Sequence, residues 1–562
     1  MNTSGQVKGA MGLAEALAGI DVNALGEAEL RVVARQLMTF VELAVARMAA
    51  LETEVQLLKD EINRLKGEQG KPTFKPRGGS QAPKDHSSER ERRTEKPWTK
   101  GAKNAGLKID RTEVAETTPP GLPEDAEFKG YDEVLIQDIV FRTDNVLFRR
   151  KKWYSASERK TYVAPLPTGY EGAFGPGIKT LVLVLYHRTG TSEPAISDLL
   201  ADRGIQISAG QVSNLLTQKL EPFHAERAEV VEAGLGSTTY QHIDDTKTPV
   251  NGVGQHCVVV CNPLFSAYAT VEKKDRQSVI DVLRGGRPRC YLLNETALEL
   301  VALMGLSAIR QVQLATLPHD VPWSETELMG LLDTHLAGLG KTQTRWILDA
   351  LSIAAYRGDP DWPVLKTLIC DDAPQWTLIT DLLSLCWVHE GRHFKKMTPF
   401  FTHHKLILEK FQTQFWDYYR ELRAYRAHPT NEDATRLSAA FDELFSTETG
   451  YAAVDQRLPL IRAKKANLLL VLDYPELELH NNPAELVARA RVRKRDVSFG
   501  PRSKAGVRAW DTFMTLAATA KKLDVSFFHY ITDRITGRAE IPRLADLISQ
   551  RAPVPNPQPA AT

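Results

Sequence analysis

Cysteine is scarce in this chain and poorly placed for cross-linking. The five cysteines (Cys257, Cys261, Cys290, Cys370 and Cys386) all lie beyond residue 256, and none forms a CxxC pair. An odd count without paired spacing argues against a disulfide framework. With no thiol upstream of Cys257, a cysteine zinc site before that residue is excluded. Long apolar runs are also missing. The longest clean one, Thr180-Leu181-Val182-Leu183-Val184-Leu185-Tyr186, is far short of a membrane span. The start of the chain lacks a basic stretch followed by an apolar one, so no secretory signal is expected and a cytoplasmic, reducing location is the default. Charge of one sign is absent overall: 71 Lys and Arg face 70 Asp and Glu. Any nucleic-acid contact must therefore rest on local charge.

What is present describes an ordinary globular protein of several units, since 562 residues exceed one core. Residues 1–66 form an N-terminal unit that carries a heptad seam over 30–65. Leu30, Leu37, Ala44, Leu51, Leu58 and Leu65 occupy one set of positions, and Ala34, Val41, Met48, Val55 and Ile62 the other. That spacing predicts a leucine-zipper coiled coil, with β-branched residues in the second set and leucine through most of the first favouring a parallel homodimer; packing of the helix on its own domain is the alternative. Residues 67–125 are rich in Gly, Pro, Ser, Lys and Arg and predict a disordered basic linker. Twelve Lys and Arg face five Asp and Glu between Lys66 and Lys108, which suits either a solvated tail or a loose hold on nucleic acid.

Residues 126–172 predict a small β-rich segment, with strands at Val134-Leu135-Ile136, Val146-Leu147-Phe148 and Thr161-Tyr162-Val163. The run Arg149-Arg150-Lys151-Lys152-Trp153-Tyr154 is either a phosphate-backbone contact or a solvated hairpin edge. Residues 173–235 predict a helix-turn-helix DNA-binding region. A short helix from Glu193 to Leu200 precedes the turn Asp202-Arg203-Gly204-Ile205, and Ser208 caps a second helix running from Ala209 to Leu220. That second helix would present Gln211, Ser213, Asn214 and Gln218 to a major groove, although helical hairpins that merely pack share the pattern.

Three acidic residues then stand out. Asp244 closes Tyr240-Gln241-His242-Ile243, Asp371 closes the apolar run Val364 to Cys370, and Glu485 opens a helix in Asn481-Asn482-Pro483-Ala484-Glu485. Two strand ends and one helix delivering carboxylates is the arrangement of an RNase H-like nuclease, which holds two divalent ions for chemistry at a phosphodiester. The separations of 127 and 114 residues leave room for insertions. The expected core is therefore split: 236–394 with a helical insertion at 290–360, a further helical insertion at 395–475, and a second part at 476–545 bearing the Glu helix. A disordered tail is expected over 546–562. The stripe Phe411, Phe415, Tyr418, Tyr419 and Leu422 reads as core, and His403-His404 as surface.

Alternatives accompany each position. Asp245 and Asp372 shadow the chosen aspartates. Asn482 as N-cap, Pro483 at the first helical position and Glu485 two further on also spell a capping box, worth about 1 kcal/mol. The cationic face behind it (Arg489, Arg491, Arg493, Lys494, Arg495) favours a scissile strand over a packing helix. In Cys386-Trp387-Val388-His389-Glu390-Gly391-Arg392, His389 and Arg392 are placed to contact a phosphate or move a proton; paired zinc-ligand spacing is lacking.

These residues resemble the DDE transposases of the insertion-sequence-66 family. His242-Ile243-Asp244-Asp245-Thr246 is similar to its His-x-Asp-Glu-Thr motif. Asp371 with Cys386-Trp387-Val388-His389 is similar to its second, and Asn481-Asn482-Pro483-Ala484-Glu485 with Arg489 to its third. The likeness covers roughly residues 25–540. It departs where the family carries a cysteine zinc ribbon, where Asp-Gly-Tyr is replaced by Asp371-Asp372-Ala373, and where Val497-Ser498-Phe499-Gly500 replaces Asn-Trp-Leu-Phe. The resemblance implies a multidomain α/β protein: a coiled coil, a helix-turn-helix region and an RNase H-like core with helical insertions. It further implies a Mg²⁺- or Mn²⁺-dependent transposase with two ions per site. Asp244, Asp371 and Glu485 would be catalytic and metal-binding, with Gln211, Ser213, Asn214, His389, Arg392, Arg489 and Arg493 contacting transposon-end and target DNA. Small accessory transposition proteins and no membrane complete the implied partners. The rivals are a dimeric DNA-binding relative without activity, another RNase H-like nuclease such as a junction or repair enzyme, and a coiled-coil scaffold.

Overall fold

The computed structural model describes residues 26–65, 108–114, 121–123 and 125–553. Expectations for residues 1–25, for most of the linker at 67–125, and for 554–562 lie outside these. The chain is a mixed α/β protein around a central mixed sheet. Among the described residues no helix is long and apolar enough to cross a membrane.

Helix α1 (Glu27–Leu65) runs unbroken through the heptad seam. Two faces of it behave differently. Gln36, Phe40, Leu43 and Arg47 are half-buried, whereas Leu37, Met48, Leu51, Val55 and Leu58 are exposed. Glu42 fastens the first face to the body. Its Oε1 accepts the backbone N–H groups of Phe400 (2.8 Å) and Phe401 (3.2 Å) and lies 3.1 Å from Nδ1 of His404. His404 is wholly buried, stacked on Tyr451, which corrects its expected surface position; His403 is exposed.

The predicted strands at 134–136 and 146–148 do not form. Residues 125–151 run as extended, exposed chain, and only β1 (Lys152–Ser155) and β2 (Lys160–Val163) pair, antiparallel. A strand needs a ladder partner, and none lies beside those residues here. Beyond α2 (Pro176–Val184), α3 (Glu193–Ala201) and α4 (Ala209–Thr217) form the expected helical pair, with Gly204 left-handed in the turn at φ +75°. The second helix stops at Thr217 rather than Leu220, because Gln218 turns extended and α5 (Glu221–Gly236) starts anew with Pro222 in its first turn.

The sheet has strand order β5-β4-β3-β8-β9. β3 (Tyr240–Lys247), β4 (His256–Cys261) and β5 (Ser266–Val271) form an antiparallel meander, followed by α6 (Arg276–Leu283). A helical excursion comes next: α7 (Glu295–Leu303), α8 (Ala308–Leu314), α9 (Glu325–His335) and α10 (Lys341–Arg357), with the two-residue strands β6 (Tyr291–Leu292) and β7 (Pro322–Trp323). The chain then returns as β8 (Thr367–Cys370), parallel to β3, and β9 (Leu382–Leu385), parallel to β8. β4 is buried from Cys257 to Cys261, as its near-continuous β-branched run requires for a strand covered on both faces. Helix α11 (Trp387–Lys395) leads to α12 (Thr402–Ala427) and α13 (Asn431–Ser446). Between these helices the aromatic stripe from Phe411 to Leu422 is core, as expected, and Trp387 sits among Phe415, Tyr418, Phe441 and Phe445.

Three short helices, α14 (Ala452–Asp455), α15 (Leu458–Arg462) and α16 (Lys465–Leu468), bring the chain to α17 (Asn482–Ser498) and α18 (Lys504–Lys522). α18 solves an edge problem. β5 is the outer strand, and its outward N–H groups would template further pairing. Instead Asp511, Thr515 and Thr519, spaced one helical turn apart, accept them: Thr270 N–H to Asp511 Oδ2 at 2.7 Å, Tyr268 N–H to Thr515 Oγ1 at 3.0 Å, and Ser266 N–H to Thr519 Oγ1 at 3.2 Å. Helices α19 (Phe527–Thr536) and α20 (Leu544–Arg551) close the fold, α20 packing against α5 with Leu544 and Ile548 buried. The tail expected from residue 546 is thus helix as far as Arg551.

Thr515→Val, isosteric but without an acceptor, leaves a buried Tyr268 N–H unpaired and should cost about 1–3 kcal/mol in urea denaturation. An unchanged midpoint would show that the edge is not held this way.

Candidate active site

The sheet order and the burial of its strands determine where each carboxylate goes. Asp244 lies within β3, opposite Val259 of β4, rather than at a strand end as expected. Its Oδ1 accepts the Asp245 N–H at 2.8 Å. Alternation along the strand turns Asp245 to the other face, where Lys274 (2.9 Å) and Gln375 (2.8 Å) hold it. Asp371 follows β8 directly, and its Oδ1 accepts the indole N–H of Trp376 at 2.6 Å. Asp372 instead pairs with Lys464 and is half-exposed. In each doublet the second aspartate is bound to a lysine. The charges of Asp371 and Glu485 both bear on Asp244.

Glu485 enters from the first turn of α17. Its capping-box reading fails: Asn481, not Asn482, is the N-cap, so Glu485 falls one position too late and no side-chain cap bond forms. Arg392 of α11 donates to Glu485 Oε2 at 2.8 Å and approaches Nε2 of His389 at 2.9 Å. His389 Nε2 is 3.6 Å from Glu485 Oε1, which is buried without a hydrogen-bond partner.

Asn481 aligns these parts. Wholly buried, it donates from Nδ2 to the Ile243 carbonyl (2.7 Å) and from its backbone N–H to Cys386 Sγ (3.2 Å). Its own carbonyl accepts the Glu485 N–H at 3.1 Å. With Nδ2 committed to a carbonyl, Oδ1 must accept, so the 3.1 Å contact to His242 Nδ1 puts the imidazole proton on that nitrogen. Burial pushes His242 down to about 3, against the pull of Asn481, so the ring is neutral.

The carboxylates strain one another. Burial raises Asp244 to about 7; the Asp245 N–H opposes this, and the charges of Asp371, Asp245 and Glu485 add to it. His389 is lowered, first by burial and then by Arg392, while Glu485 and Asp371 pull the other way. Each of the three acids has one oxygen held, by the Asp245 amide, by Trp376 and by Arg392, and the second oxygen of Glu485, Oε1, is buried with no hydrogen-bond partner. Among the described residues no group of three or more His, Cys, Asp and Glu stands close enough together to hold a metal ion. The donor set is nevertheless all oxygen, which suits a hard divalent cation and not zinc.

The other expected DNA contacts are distributed unevenly. Gln211 and Asn214 are exposed and Ser213 half-buried, but the Gln211 side chain is engaged in a capping box with Ser208, and Asn214 accepts from Gln218 at 2.8 Å. Arg489 and Arg493 are exposed on α17. The argument from the whole cationic face needs correction: Arg491 is fully buried, bonded to Thr270 and Asp511 under Trp510, and Lys494 is buried against Tyr186. Burial and the nearby Arg491 lower Lys494 to about 7. Sequence reading missed Trp376 as a partner of Asp371 and the organising role of Asn481. A tryptophan five residues after a strand-end aspartate is the signal that pointed there.

No family model matches this chain. Over 340 residues, 58% of this chain and all of the relative, it is 29% identical to a Sinorhizobium fredii protein described as uncharacterized protein y4jO.

Because the folded pKa of Asp244 lies above its unfolded value of 3.8, the unfolded chain releases its proton first as pH rises. Stability is therefore lost between about pH 4 and pH 7. Asp244→Asn should stabilise the protein at about pH 8, by roughly 2–4 kcal/mol, and the gain should close towards pH 4. Thermal melts across that range measure it; a pH-independent difference would contradict the assignment.

Proposed function

We propose that this protein is a dimeric, divalent-metal-dependent DNA transposase with an RNase H-like core, similar to the insertion-sequence-66 type, that binds inverted-repeat ends and cuts and transfers DNA strands. The observation that carries the reading is that the charges of Asp371, at the end of β8, and of Glu485, on α17, both bear on Asp244 in β3. The strand order and mixed direction of the sheet support it, since β3 is central, antiparallel to β4 and parallel to β8.

Asp244 Oδ2, Asp371 Oδ2 and Glu485 Oε1 would hold Mg²⁺ or Mn²⁺. Bound there, two such ions supply a lowered pKa for the attacking hydroxyl and neutralise charge on the departing oxygen. The protein's own part is to keep the three acids aligned through Asn481, to exclude wrong rotamers of Asp371 with Trp376, and to meet a phosphate with Arg392 and His389. No serine or tyrosine nucleophile is required. The α3–α4 pair would read the terminal repeats through Ser213 and Asn214, with exposed Arg489 and Arg493 following the backbone. The exposed seam of α1 would pair two protomers so that both ends are handled together. The Arg392–Glu485 contact favours a second reading, a folded DNA-binding relative that does not cut.

Glu485→Gln should abolish strand cleavage of repeat-ended DNA while end binding is retained. Binding lost in proportion to cleavage would assign Glu485 a structural role instead. The double variant Met48→Glu/Leu58→Glu should convert a dimer to a monomer in sedimentation equilibrium; an unchanged mass would remove the seam from the interface.

A further inference from the structure

Arg392 stands where the trio meets the surface. Its side chain is about one-third exposed, on a helix whose outer end also carries exposed His393, Lys395 and Lys396. It holds one oxygen of Glu485 while the other stays unpaired. Glu485 is thus neutralised by a resident guanidinium and not yet committed to Asp244 and Asp371.

We propose, on the functional reading above, that Arg392 is an exchangeable counter-ion that couples DNA engagement to metal loading. A phosphodiester offers a guanidinium the same fork geometry as a carboxylate. When DNA takes Arg392, Glu485 is left as an uncompensated, largely buried anion, a state costly enough that a cation must replace the one withdrawn. The two exchanges therefore occur together. The guanidinium passes from carboxylate to phosphate, and Glu485 Oε2 joins Oε1 in being open to a divalent ion beside Asp244 and Asp371. Without DNA the ion must compete with Arg392 for Glu485, and loading is weak. Arg392 acts through Glu485 and is a positioning residue, and the coupling is reciprocal: metal should tighten DNA as much as DNA tightens metal.

The test is Mn²⁺ binding by calorimetry to the full chain, with and without a short DNA duplex, using Asp244→Asn as the blank. In the absence of DNA, Arg392→Gln should bind Mn²⁺ on the order of tenfold more tightly than the unaltered protein. The duplex should tighten Mn²⁺ binding of the unaltered protein by a similar factor and add little to Arg392→Gln. Arg392→Lys, which keeps the charge but not the fork, should stay weak without DNA, and this separates counter-ion loss from a general disturbance of the site. Equal Mn²⁺ affinity in the unaltered protein and Arg392→Gln, or equal tightening of both by DNA, overturns the proposal while leaving the enzymatic reading in place. Mn²⁺ binding that is absent throughout, or indifferent to Asp244→Asn, overturns both.

Discussion

The side chain of Asn481 is the joint on which the site depends. Three catalytic candidates separated by more than a hundred residues each must meet, and a sheet and a distant helix have no covalent reason to share a register. Asn481 supplies one. It ties the turn before α17 to the backbone of β3 through Ile243, to the ring of His242, and to the start of α11 through Cys386. Each of its groups is matched with a partner of opposite character in a place without water. Loss of any one leaves a buried polar atom unsatisfied, so the network favours a single arrangement. Glu485, whose N–H bonds to the Asn481 carbonyl, inherits its position from that arrangement.

Holding acids close together has an electrostatic consequence that the fold meets from several sides. Lysines take Asp245 and Asp372 out of the cluster, the indole of Trp376 restrains Asp371, and Arg392 balances Glu485. Asp244 has only a backbone amide, and burial, with the neighbouring acids, raises its affinity for a proton. The charge that remains uncompensated sits where a divalent ion would be most effective, because the three acids are half-buried and their donors are oxygen.

Much of this was legible in the residues because periodicity and element ends carry the information. The β-branched run of β4, the aromatic stripe of α12 and the Gly204 turn each have one good physical solution, and the structure adopts it. What was not legible depends on partners remote in the chain. Val134-Leu135-Ile136 has strand propensity but no neighbouring strand. Arg491 and Lys494 look like surface charge until α18 places Asp511 and Trp510 above them. Asn481 and Asn482 are equally good caps on paper; the choice between them is made by a carbonyl on β3, more than two hundred residues earlier.

The molecule contains its own comparison for whether Asp244, Asp371 and Glu485 are merely structural. Some buried acids with a packing role have both oxygens bonded here. Glu390 receives Arg457 on one oxygen at 2.6 Å and Lys464 on the other at 2.8 Å, and although burial opposes it these partners hold it below its ordinary range. Asp511 accepts from the Thr270 amide and hydroxyl and pairs with Arg491. Others bind through one oxygen, as Asp349 does to Arg276 through Oδ2 and Glu226 to Tyr530 and Arg534 through Oε1. Glu485 differs from both kinds: its Oε1 is buried, lacks a hydrogen-bond partner and lies 3.6 Å from Nε2 of His389. An unpaired buried carboxylate oxygen carries a desolvation cost that an apolar group in the same place would avoid, and packing alone does not account for it.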